Sequence, residues 1–212
     1  MMRRILAVGA LFVLGLGAAC VPKAPPLAGG PAPAVVPRLE LPAGHTRFGF
    51  GWSYEDPDMR GRGDGAIRAA APDSARLDLF IAGGLGGATA VLIGDQLRAP
   101  GPDAVRKMVP PPPLLWAALG RLAVPPAADT VARLDGDTLR IDIGRGSVWR
   151  VTVAGGTLKR LERIDDGRIV QSVRRADDRH VRYYDASARR SLDFTITSVD
   201  HNVDFDASIW SL

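Results

Sequence analysis

The strongest constraint in this chain lies near its middle, where Val109–Pro126 reads VPPPPLLWAALGRLAVPP. No charged side chain falls between Lys107 and Arg121. Proline is accepted in the first turn of a helix and not in its interior, so Pro113 marks a helix start and Pro125 its latest end. Leu114, Leu115, Ala118, Leu119 and Leu122 then fall on one apolar stripe, and Trp116 and Ala117, off that stripe, are apolar too. At 1.5 Å per residue such a helix is about 15 Å long, roughly half the hydrocarbon thickness of a bilayer. It cannot span a membrane, and it must be covered by protein or by something greasy.

The segments on both sides read as strands. Thr46–Glu55 alternates cleanly, with Phe48, Phe50, Trp52 and Tyr54 on one face. Arg60–Ala70 (RGRGDGAIRAA) is a weaker strand whose glycines allow bending or close approach. Pro72-Asp73 turns the chain into Arg76–Ile81, and the glycines around Leu85 connect to Ala88–Ile93 and a short strand at Gln96–Ala99. A small helix is expected at Asp103–Met108. Beyond the proline stretch come strands at Thr130–Leu134, Thr138–Ile143, Ser147–Val153, Thr157–Ile164, Arg168–Arg174, His180–Tyr184, Ser191–Ser198 and Val203–Ile209. Asp135-Gly136-Asp137 and Asp165-Asp166-Gly167 are hairpin turns between them. Leu158, Leu161 and Ile164 carry helical spacing inside an otherwise strand-like run.

The start of the chain is a targeting segment. Arg3 and Arg4 give a positive n-region, Ile5–Leu16 an apolar h-region too short to be a transmembrane helix, and Gly17-Ala18-Ala19 the small residues before a cleavage site. Cys20, the sole cysteine, follows at once and cannot form an intramolecular disulfide. LGAAC resembles the lipobox of bacterial lipoproteins, in which the cysteine is acylated and becomes the first mature residue. Here Gly17 stands where that motif has leucine, with Leu16 one place earlier. An ordinary secretory signal beside an unmodified cysteine is the alternative. The residue after Cys20 is Val21 rather than Asp, which by resemblance to the sorting rule of diderm bacteria is compatible with the outer membrane. Residues 20–44 carry seven prolines with alanine and glycine, a composition expected to form a lipid-anchored tether holding the body away from the bilayer.

Residues 45–212 are one domain's length. Without residues 1–19 the chain has 25 basic and 23 acidic side chains, a formal charge of 25 − 23 = +2. No basic patch with interleaved aromatics is present, which argues against nucleic acid. The glycine cluster at 83–87 lacks the Lys-Ser/Thr ending and the following helix of a phosphate loop and reads as a hairpin loop. His45, His180 and His201 are scattered, with no nucleophile elbow and no zinc-protease motif. Asp200, Asp204 and Asp206 near His201 and Asn202 lack the tight glycine turn of a calcium loop. Asp204 and Asp206 read more simply as the solvent side of a strand whose Val203 and Phe205 face inward. Arg174, Arg175, Arg179, Arg182, Arg189 and Arg190, mixed with Asp177, Asp178 and Asp185, read as a solvated face. No metal, cofactor or catalytic residue is expected.

The order of elements carries a resemblance. A lipobox, a Pro-rich tether and serial antiparallel strands interrupted midway by greasy helices resemble the LolA/LolB-like superfamily of periplasmic lipoprotein carriers and outer-membrane receptors. GRGDGAIRAAAPDSARLDLF is similar to that family's early strand–turn–strand segment, PPPLLWAALGRLAVP to its mid-chain helix, and LKRLERIDDGRIVQSVRR to its later long hairpin. The resemblance implies a mainly β fold: an incomplete antiparallel barrel of about ten or eleven strands with short helices over its concave face. It also implies an apolar interior that receives lipid or the acyl chains of lipoproteins. Phe50, Trp52, Leu79, Leu115, Trp116, Leu119, Trp149 and Phe194 are the expected lining, and Cys20 the lipidation site. The expected protein is a monomeric outer-membrane lipoprotein facing the periplasm, a carrier or receptor and no enzyme. A non-transport envelope module, a sensor or assembly factor on the same scaffold, is the alternative.

Overall fold

Strand alternation and turn residues build nearly all of what the computed structural model describes, residues 21–84 and 86–211. In the N-terminal half, β2 (His45–Glu55) buries Phe50, Trp52 and Tyr54 on one face. Its neighbour β3 (Arg60–Ala70) sets Gly61, Gly63 and Gly65 directly opposite Tyr54, Trp52 and Phe50. A Cβ at Gly65 would lie 2.3 Å from the Phe50 ring, and one at Gly63 would lie 1.8 Å from the Phe80 carbonyl oxygen. The RGRGDG run therefore gives aromatic rings a floor and lets the next strand close in. β4 (Ser74–Ile81), β5 (Gly87–Ile93) and the three-residue β6 (Gln96–Arg98) follow by hairpins.

The second half runs β7 (Thr130–Asp135), β8 (Thr138–Ile143), β9 (Ser147–Ala154), β10 (Thr157–Asp165), β11 (Arg168–Arg175), β12 (His180–Asp185) and β13 (Arg190–His201). The helical spacing of Leu158 and Leu161 has a local cause. Leu158 faces Val153 and Arg160 faces Thr152, so Lys159 is the extra residue of a bulge and both leucines reach the inner face. Ile164 lies opposite Val148, on the outer face with Glu162 and Arg150.

Pairing of β13 with β2 joins the halves into one antiparallel sheet of thirteen described strands, ordered β1-β7-β8-β9-β10-β11-β12-β13-β2-β3-β4-β5-β6. β1 (Gly30–Ala32), which the composition hid, is one of the thirteen, a total above the ten or eleven expected. The expected last strand at Val203–Ile209 does not form. Asn202 turns the chain with φ 57°, β2 and β13 are already paired on both flanks, and Asp206 accepts from the Ser208 amide to start a 3-10 turn, Ala207–Trp210. Phe205 packs nonetheless, stacked on His45 at 5.0 Å and edge-on to Trp210 at 6.3 Å.

Two short helices, α1 (Asp103–Met108) and α2 (Pro112–Ala118), link β6 to β7. α2 is shorter than its prolines allow. Gly120, at φ 89°, lets the Gly120 amide reach the Ala117 carbonyl and the Arg121 amide reach Trp116, a Schellman stop. α2 packs on β10, β11 and β12, while the Trp116 indole donates to the Gly94 carbonyl in the β5–β6 turn at 2.7 Å. β11 and β5 are six steps apart in sheet order, about 29 Å if flat at ~4.8 Å per strand. One tryptophan cannot bridge that. The sheet is curled around α2, and its edges β1 and β6 do not join: an open, barrel-like wall.

The Pro-rich segment differs from the expected tether. The Ala24 amide donates to the Gly167 carbonyl at 2.8 Å, and the Pro22 carbonyl accepts from the Ile169 amide at 3.0 Å. Lys23 bridges to Arg168, and β1 pairs with β7 along the sheet edge. Farther on, Leu39 accepts from the Leu122 amide and Leu41 is buried in the core. Proline removes amide donors but leaves carbonyls free, so a Pro-rich chain can still be tied down through what remains. The sheet thus begins before residue 45, the expected domain start. The expected signal peptide, residues 1–19, and Cys20 lie outside the described residues.

Candidate functional site

The candidate site is the concave side of the sheet, under α2. Leu114, Leu115, Trp116, Ala117 and Ala118 are all buried, Leu114 and Ala117 completely, so the helix is covered all round. Each expected lining residue falls in or against one apolar cluster. Phe50 and Trp52 come from β2, Leu79 from β4, Leu115 and Trp116 from α2, and Phe194 from β13; Leu119, the cap of α2, and Trp149, from β9, are half-buried at its margin. Phe50 and Phe194 meet edge to face at 5.0 Å. Sequence reasoning passed over Ile141, Leu161, Tyr183 and Leu192, all fully buried in the same cluster. Alternation within their strands was the signal for Ile141, Tyr183 and Leu192, while the bulge at Lys159 broke it for Leu161.

Polar groups fix the helical segment at its rim. The Arg175 guanidinium donates to the Ala118 carbonyl at the end of α2, and Arg190 donates to the Lys107 carbonyl in α1 at 2.7 Å. These two arginines therefore do not belong to the solvated face expected for their cluster. Helix C-termini leave carbonyls without partners, and a buried guanidinium is well suited to them. Burial pushes the Arg175 pKa down, with the Asp178 and Asp177 charges opposing. The Arg121 guanidinium sits 4.7 Å over the Trp116 ring and approaches Glu40 within 3.5 Å.

Behind Arg190 lies Asp185, buried, accepting from Gln171, Tyr183, Ser187, the Ala188 amide and Arg190. Burial acts to raise its pKa, but these hydrogen bonds and the Arg190 charge outweigh it and hold the carboxyl at about 2. Burial and the Asp185 charge push the Tyr183 phenol up to about 12. Such a network orders the rim and holds its protons tightly.

The interior is therefore a hydrocarbon environment with fixed hydrogen bonds around its margin. It excludes water, and its own side chains fill it in this structure. Open hollows lie on the other face instead. Two adjoining ones, of about 650 and 770 Å³, are lined in common by Glu55, Arg60, Arg182 and Ser191. The histidines stay apart from the interior. His180 pairs with exposed Asp177 at 2.8 Å, and His45 bonds the Val203 carbonyl at 3.0 Å. Among the described residues, no three His, Cys, Asp or Glu are grouped to hold a metal ion.

No protein-family model matches the chain, and no curated protein does. Solved structures do. A LolA superfamily protein from Nitrosomonas europaea is similar at 12% identity, covering 82% of this chain and 92% of that one, with a TM-score of 0.48. A DUF1329 family protein from Desulfovibrio piger is similar at 9% identity, covering 80% and 90%, with a TM-score of 0.46.

Proposed function

We propose that this chain is an exported lipoprotein, anchored in the outer membrane through acylated Cys20 and facing the periplasm, whose interior binds acyl chains. The partner is lipid or a lipidated protein, and the role is that of a carrier or receptor without covalent catalysis. One observation carries the reading: an open sheet curls around a short, wholly apolar helix that is bracketed by prolines and reaches both sides of the wall.

Magnitudes favour exchange between the helix and a ligand. Freeing α1 and α2 together breaks the three hydrogen bonds made by Trp116, Arg175 and Arg190, about 1 kcal/mol each. Exposing Leu114, Leu115 and Trp116 adds roughly 2 kcal/mol apiece. The total is near 9 kcal/mol. A buried acyl chain of about sixteen carbons returns roughly 12 kcal/mol at ~0.8 per methylene. The two are close enough for loading and release, as a carrier requires.

Native mass spectrometry of the protein extracted mildly from its own host's envelope tests this, together with binding of a palmitoylated peptide followed by tryptophan emission. Co-purified acyl mass and saturable binding are expected. A bare chain that ignores the peptide overturns the reading. The polar ties on α2 favour a second one, a sensor or assembly module whose helix stays in place. A defined protein partner captured from envelope extract, equally well with and without acylation of that partner, would select it.

A further inference from the structure

The docked N-terminal segment changes what the membrane anchor can do. A free polyproline chain of residues 21–44 would span about 70 Å and leave the body's orientation open. Here the segment has no slack at its very start. The Pro22 carbonyl and the Ala24 amide are bonded to Ile169 and Gly167, on either side of Arg168 where β11 leaves the β10–β11 turn, with Lys23 bridged antiparallel to Arg168 itself. One residue on, Arg150 donates to the Pro25 carbonyl at 2.6 Å. That guanidinium is buried and held by both Asp142 oxygens, at 2.7 and 2.8 Å, on the outer face beneath the segment. Cys20 is joined to Val21 by one peptide bond, so their Cα atoms are about 3.8 Å apart.

We infer that the body lies against the bilayer in a fixed orientation, with the end of the sheet carrying the β10–β11 turn facing the lipid surface. The inference rests on Cys20 being the acylated anchor. Acyl chains on Cys20 enter the membrane within a few residues of Gly167, not at the end of a long leash. Ser147 pairs with Asp165, so the neighbouring β8–β9 turn, with exposed Arg145, belongs to the same end. Asp137, in the β7–β8 turn, belongs to the opposite end. The eight residues of β9 separate the two ends by about 26 Å at ~3.3 Å per residue.

The test uses the mature acylated chain in phosphatidylcholine–phosphatidylglycerol vesicles that contain headgroup-spin-labelled lipid. Because Cys20 is the sole cysteine, a single introduced one (Arg145→Cys or Asp137→Cys) carries the fluorophore uniquely. Quenching several-fold stronger at position 145 than at 137 is expected. Equal or reversed quenching in protein that floats with the vesicles overturns the orientation but leaves the anchor standing; failure to float overturns the anchor and the orientation together. A spacer of about ten Gly and Ser residues inserted between Cys20 and Val21 should bring the two signals together without touching the fold. A ratio unchanged by that spacer would also overturn the inference.

Discussion

The two faces of the sheet are ordered by different forces. On the inner face, α2 and the strands meet through carbon, and area removed from water sets the stability without fixing direction. On the outer face, one buried and one half-buried carboxylate hold arginines that reach onward to the two end segments of the described chain. Asp142 aims Arg150 at Pro25, and Asp78, with Thr89 and Arg68 around it, aims Arg76 at the Ile209 carbonyl at 2.9 Å. One face is adaptable and the other is directional. A protein that exchanges a helix for a ligand needs the first, and one that fixes the path of its own ends needs the second.

Breaking each face in turn should show that division. Trp116→Ala removes the largest fully buried side chain and its bond to Gly94, and should cost about 3–5 kcal/mol by chemical denaturation. Gly63→Ala places a methyl against the Phe80 carbonyl where the wall bends, and should cost about 3 kcal/mol while disturbing both faces. Arg150→Met should cost about 2 kcal/mol globally by the same measurement, since it strands Asp142 beside buried Glu162. Its distinctive sign is local: hydrogen exchange should rise at Ala24 and Ile169 and stay unchanged in α2. Gly120→Ala should cost about 1 kcal/mol, because only the left-handed conformation of one residue is at stake.

Acid gives the smallest and sharpest separation. Asp185 at the inner rim and Asp177 on the surface are both held at about 2, below the ordinary 3.8. The cause at Asp177 is the hydrogen bond from the His180 side chain, followed by the Arg179 and His180 amides. A depressed carboxylate stabilises the fold fully above its ordinary value, and that contribution fades as pH falls through about 2. Added salt screens an exposed pair and not a buried one. Between pH 4 and 2, Asp177→Asn should therefore remove a salt-sensitive part of acid unfolding, and Asp185→Asn a salt-insensitive part.

Most strands were legible because Leu, Ile, Val and aromatic residues alternate with polar ones and most turns carry Gly or Asp. The inner site was legible for the same reason. Phe50, Trp52, Leu79 and Phe194 each sit at an alternating position, and Trp116 sits inside a charge-free helix. The N-terminal segment was hidden because backbone carbonyls and one distant arginine hold it, and neither leaves a mark in composition. The inward turn of Arg175 and Arg190 was hidden likewise: a charged residue near other charges reads as solvated until a helix end appears beside it. Gly120 did carry the signal for where α2 stops, but the nearby prolines drew the boundary farther on. Ile164 followed the spacing of Leu161 while lying on the other face, because the run from Leu158 contains a bulge that periodicity alone reads as a turn of helix.

The unjoined edges have a mechanical meaning. β1 and β6 are three residues each, and Pro31 in β1 offers no amide hydrogen, so neither margin presents a long row of donors and acceptors to a neighbouring molecule. A closed cylinder can widen only by tearing a seam of hydrogen bonds. This wall has no seam there to tear, so its rims can move apart and back at the cost of bending alone.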